Sequence, residues 1–136
     1  MDRSPHRPWT GRIRLIITKR VSAVFDSVTS VALNSALDGL SLRQRVTANN
    51  IANVNTPGYH AQRVSFEAAL ERSVANGDGQ VTSSTERSLE PTRLNGSNVN
   101  LDTETLSNID TVLRYQFAAR AVEGQFTSVR TAMRSN

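Results

Sequence analysis

The sequence predicts a mainly α-helical chain: long N- and C-terminal helices packed as a coiled-coil-like pair, joined by a turn, a short helix and an irregular middle. Two seams and a composition carry that expectation. Leu33, Leu37, Leu40, Gln44, Thr47, Ile51 and Val54 recur at spacings of 4, 3, 4, 3, 4 and 3, a heptad pattern. Val112, Tyr115, Ala119, Val122, Phe126, Val129 and Met133 repeat the pattern at 3, 4, 3, 4, 3 and 4, after an opening stripe at Leu106, Ile109 and Leu113. With 136 residues, 38% apolar and only 5% aromatic, the chain has material for helices packed on helices and little for a large compact core. The two seams offer too little apolar surface to hold about 60 ordered residues alone, so neighbouring copies or partner chains are expected to contribute stability.

Four segments follow. Residues 1–23 form a basic leader without expected order, 24–74 an N-terminal helical segment ending in a turn motif, 75–100 a flexible loop, and 101–136 the C-terminal helix. The leader carries Arg3, Arg7, Arg12, Arg14, Lys19 and Arg20 against Asp2 alone, a net charge of +5, which leaves the other 113 residues at −1. The total of +4 therefore does not describe a basic body, and nucleic acid is not an expected partner. The apolar run Ile13–Ile17 is interrupted by Arg14 and is too short for a signal-peptide core or a membrane span.

From Asp26 or Ser27, either of which can cap, the sequence turns helical. Gly39 interrupts this helix at a cost of about 1 kcal/mol relative to Ala, so it marks either a close approach or a tolerated accident. Arg43 and Arg45 read as solvated. The helix must stop near Asn55, because Pro57 drives Thr56 out of helical angles, and Thr56, Pro57, Gly58 and Tyr59 read as a type II turn with Gly58 at positive φ. Four asparagines, Asn49, Asn50, Asn53 and Asn55, crowd the approach. One asparagine suffices to cap a helix end, so a polar recognition edge is expected beside the turn. Phe66, Ala69, Leu70 and Val74 have the spacing of a short amphipathic helix folding back on the first. Residues 75–100 are rich in Gly, Ser, Thr and Asn, with a brief strand expected near Val81. Asn100 or Asp102 then caps the second long helix, Glu104 sits favourably near its positive end, and Asp110 and Arg114 form an i,i+4 pair.

No enzyme emerges from these residues. There is no cysteine, His60 has no second histidine near it, the Gly77-Asp78-Gly79 run is too short for a phosphate or calcium loop, and no nucleophile motif is present. No catalytic residue, cofactor, metal or small-molecule substrate is expected.

The string Ala48-Asn49-Asn50-Ile51-Ala52-Asn53-Val54-Asn55-Thr56-Pro57-Gly58-Tyr59, with SLRQR before it and SFEAAL after it, resembles the N-terminal signature of the bacterial flagellar rod and hook proteins. Phe66 to Leu70 and Leu113-Arg114-Tyr115-Gln116 most resemble the proximal rod members, and the likeness spans roughly residues 24 to 134, strongest at the ends. The resemblance implies a structural subunit of the basal-body rod, exported by the flagellar type III apparatus without a cleaved signal peptide. It would stack on copies of itself and join other rod proteins to the inner-ring and export-gate adaptor region. Both seams, Asn49, Asn50, Asn53, Asn55 and the turn become assembly surfaces on that view. Family members begin close to Phe25, so residues 1–20 or 1–23 are expected to reflect a misplaced start, with Val21 or Val24 as the true one; an intact mass that includes Met1 to Arg20 refutes this. The competing reading is a soluble helical adaptor or export chaperone, which suits the C-terminal heptads but not the turn motif. Another rod or hook member is the nearer alternative, and the short middle argues against the larger distal rod and hook proteins.

Overall fold

The N-terminal seam lies on one long helix, α1 (Thr10–Ala52), only as far as Ile51, and its last member, Val54, falls in the turn beyond it, in a computed structural model that describes residues 10–134. The helix does not begin at Asp26 or Ser27 but runs through both, since a capping side chain acts as a cap only where helical residues do not precede it. Residues 1–9 of the basic leader lie outside the described residues. After the turn come strand β1 (Gln62–Ser65), helix α2 (Glu67–Ala75), strand β2 (Ser84–Arg87) and helix α3 (Leu101–Arg134). The architecture is the expected one, mainly helical, with α1 and α3 packed along each other.

The middle departs from expectation. β1 and β2 pair antiparallel, with Gln62 opposite Arg87 and Ser65 opposite Ser84, so the strand falls at 84–87 and not at Val81. Residues 75–100 also make contacts with α1 and with the residues after the turn. Gly79 sits at φ +77°, and a Cβ there would stand 2.7 Å from the Val28 carbonyl oxygen, so the loop lies directly on α1. Ser35 Oγ accepts from the Val81 amide, and Ser73 Oγ donates to the Gln80 carbonyl. Asn98, almost fully buried, organises the rest. Its Nδ2 donates to the carbonyls of Ser88 and Glu90 at 3.1 and 3.0 Å, and its Oδ1 accepts from the Ala61 amide at 2.7 Å. One amide side chain thus supplies three of the backbone bonds that a loop without regular structure lacks.

The apolar core is not between the two long helices. Leu40, Val46, Val64 and Phe66 are buried together, with Ala36, Leu42, Leu70 and Val81 against them, so the core joins α1 to β1 and α2. Arg43 lies over the Phe66 ring, 5.0 Å from its centre, and pairs with Glu67 at 2.6 Å. Partial burial raises the Glu67 carboxyl, but the Arg43 hydrogen bond and charge outweigh it and hold the group below its ordinary value. Toward α3, α1 presents Asn50, which meets Glu104, and along α3 Glu104, Thr111 and Ala118 are buried one heptad apart. Small and polar side chains at these positions allow a close helix approach that bulky ones would prevent.

Gly39 is resolved as a close approach, made by a side chain and not by a crossing helix: a Cβ there would fall 2.7 Å from the Phe66 ring. Gly39→Ala is therefore expected to cost about 1 to 3 kcal/mol despite its gain in helix propensity. Gly124→Ala, at an α3 position where an added Cβ meets nothing, is expected to gain up to about 1 kcal/mol. Thermal unfolding of the two variants reads both signs; equal shifts would refute the contact.

Candidate assembly surface

The turn is built as its residues dictate. Gly58 has φ 69°, the Tyr59 amide reaches the Thr56 carbonyl at 3.3 Å, and α1 has ended at Ala52. The Gly58 amide donates to the Asn95 carbonyl at 2.9 Å, and a Cβ on Gly96 would stand 3.3 Å from Gly58 Cα, so the turn is pinned against the loop before α3.

The four asparagines do different work. Asn50 is completely buried and uses its whole hydrogen-bonding capacity within the chain. Its Nδ2 donates to the Gln62 carbonyl at 2.9 Å and to Glu104 Oε2 at 3.0 Å; its Oδ1 accepts from the Gln62 amide at 3.0 Å and the Tyr59 hydroxyl at 3.3 Å. Glu104, also fully buried, takes Arg63 Nη1 on its other oxygen at 2.7 Å, and Arg63 reaches on to Glu90 at 3.0 Å. Helix α1, the turn, β1 and α3 thus meet in one polar node, and no buried side-chain nitrogen or oxygen among the described residues lacks a partner. Asn53 is spent on the turn: its Nδ2 donates to the Asn49 carbonyl at 2.8 Å and its Oδ1 accepts from the Thr56 hydroxyl at 3.1 Å. Only Asn49 and Asn55 are exposed.

The expected assembly positions divide in the same way. Leu40, Thr47 and Asn50 are buried within the chain and present nothing to a neighbour in this conformation. Leu33, Leu37, Ile51, Asn53, Val54, Tyr59, Val112, Ala119 and Val122 are half-buried. Gln44, Asn49, Asn55, Thr56, Pro57, Gly58, Tyr115, Phe126, Val129 and Met133 are exposed. Tyr115, Phe126, Val129 and Met133 of the C-terminal seam are therefore left open and not closed against α1. Leu106, Ile109, Leu113 and Phe117 form a further row of exposed large apolar side chains on α3. Asn100, as expected, caps α3: its Oδ1 accepts from the amides of Asp102 and Thr103 at 3.1 and 3.4 Å.

Sequence reasoning missed Arg63, Asn98 and the pairing of Glu104. An arginine in the short Gln62–Ser65 run and an asparagine in a Gly- and Ser-rich loop carry no periodic signal, and Glu104 reads as an ordinary first-turn acid. No group of three or more His, Cys, Asp or Glu side chains among the described residues is placed to hold a metal. No helix among them is long and apolar enough to cross a membrane.

A family model described as "Flagella basal body rod protein" matches residues 32–60, the stretch that holds the Asn-rich motif and the turn. Among individual proteins, the chain is 28% identical over 118 residues to the flagellar basal body rod protein FlgB of Bacillus subtilis, across 74% of this chain and 89% of the relative. It is 29% identical over 122 residues to FlgB of Escherichia coli K12, covering 74% and 88%. A shorter match to FlgB of Borrelia hermsii reaches 60% identity over 40 residues, 29% of this chain and 30% of that one.

Proposed function

The chain belongs to the family of flagellar basal body rod proteins, and from that premise we infer that it builds the proximal rod by stacking on copies of itself through its terminal helices. It is a structural subunit of the flagellar basal body. Its work is to hold a shape under load, which asks for surfaces and not for a reaction centre. Assembly with other rod components follows from the family. Contact with the inner-ring and export-gate adaptor region, export through the flagellar type III apparatus, and a requirement for motility complete the proposal.

One observation supports self-assembly above the others. Helix α3 packs on α1 through Glu104, Thr111 and Ala118 while Leu106, Ile109, Leu113, Phe117, Phe126, Val129 and Met133 stay more than half exposed. Soluble monomers rarely leave such a run of large apolar side chains along one element uncovered. The polar node supports the reading from the other side, because it fixes the register of α1 against α3 inside each chain and so presents those rows in one geometry.

Electron microscopy of basal bodies purified from a strain lacking only this gene tests the function. Rings without a rod or hook are expected; intact rods carrying normal hooks would overturn it and favour a helical adaptor.

A further inference from the structure

The exposed side chains of α3 fall into two rows with a common spacing. Leu106, Ile109 and Leu113 are 68%, 53% and 61% exposed, and Phe126, Val129 and Met133 are 66%, 59% and 77% exposed. Each row has steps of 3 and 4, and each member of the second lies 20 residues after its counterpart in the first. At 3.6 residues per turn, that offset is about five and a half turns, so the rows point to opposite sides of one helix, about 30 Å apart along its axis. The charges follow the same offset. Asp110, exposed beside the first row, has Arg130 as its counterpart beside the second. Phe126 and Val129, with Ser30, Gln125 and Ser128, also line a cleft of about 350 Å³ between α3 and α1.

Two complementary patches on opposite sides of one element cannot satisfy each other within a chain, nor close a two-fold dimer. They join copies head to tail and generate an open stack. We propose that Leu106, Ile109 and Leu113 of one copy pack against Phe126, Val129 and Met133 of the next, with the α3 helices parallel and displaced by about 30 Å. This rests on the rod reading above and names the contact through which copies of the chain join. In this register Asp110, already bonded to Arg114 at 2.7 Å, also receives Arg130 of the next copy, and the shared carboxylate selects the parallel orientation. Arg134 of the next copy then falls opposite Arg114, whose charge Asp110 already offsets.

The chain has no cysteine, which makes the register directly testable. Full-length Ile109→Cys and Val129→Cys chains are co-expressed in the deletion strain, basal bodies are isolated and mildly oxidised, and the chain is followed by immunoblot without reductant. A disulfide-linked dimer is expected from the mixture and not from either variant alone, and chains carrying both substitutions are expected to give a ladder. Leu113→Cys with Met133→Cys should behave alike, whereas Leu106→Cys with Met133→Cys, out of register, should not cross-link. Dimers from a single variant alone would overturn the proposal in favour of a two-fold contact. Chain present in basal bodies with rods restored, but with no cross-link in either matched pair, would overturn it and leave the rod assignment standing. Absence of the chain from basal bodies would remove both.

Discussion

Asn50→Asp lowers the stability of the folded chain by about 4 kcal/mol, although it changes almost nothing in size. The amide it replaces donates to Glu104 Oε2 at 3.0 Å and to the Gln62 carbonyl at 2.9 Å, at a site with no access to solvent. A carboxylate there withdraws both donors and sets a second negative charge against a buried one. Arg63, a third exposed and already shared with Glu90, answers only the far oxygen of Glu104. Adding Glu104→Gln returns a donor to the pair at neutral pH, so the double variant is expected to recover about 2 to 3 kcal/mol of the loss. Urea unfolding of the wild type, both single variants and the double variant closes the cycle. Additive losses would show that Asn50 and Glu104 do not act as one node.

That node also marks how far the sequence could be read. The density of asparagines before Thr56-Pro57-Gly58-Tyr59 was legible as something local stability does not need, and the turn followed from Pro57 and Gly58 alone, since both act through their own backbone angles. The role of Asn50 was not legible, because its acidic partner lies 54 residues away and no pattern near either residue records the pairing. Of the short strands, β1 was missed and β2 was expected a few residues early, near Val81, for a related reason. Gln62–Ser65 and Ser84–Arg87 show no clean apolar alternation, and the loop beyond them is ordered by one side chain, Asn98, and one glycine contact at Gly79. On α3 the heptads were real but their direction was not given. Periodicity says which side chains share a face; which face turns inward depends on how closely the partner can approach, and here the small residues win. The seam on α1 likewise spends Leu40 on the core with Phe66, while Gln44, its middle member, faces solvent.

Phe126→Asp is expected to abolish rod assembly while leaving the folded subunit intact. The side chain is 66% exposed in the single chain, so a carboxylate there stays hydrated and changes folding stability by no more than about 0.5 kcal/mol. In the proposed stack the same position is covered by the Leu106, Ile109 and Leu113 row of the neighbouring copy. Burying an unpaired carboxylate at such a contact costs about 3 to 5 kcal/mol, which is roughly 10²- to 4 × 10³-fold in affinity at each joint. The penalty recurs at every joint, so a stack fails where a single dimer would only weaken. Phe126→Leu keeps the surface apolar and should restore rods. Circular dichroism melts of the purified variants establish that both fold, and electron micrographs of basal bodies from complemented cells count the rods. Normal rods in the Phe126→Asp strain would show that this face of α3 stays in solvent after assembly. The surface joining the copies would then have to be sought elsewhere, with the exposed Asn49 and Asn55 beside the turn as the next positions to change.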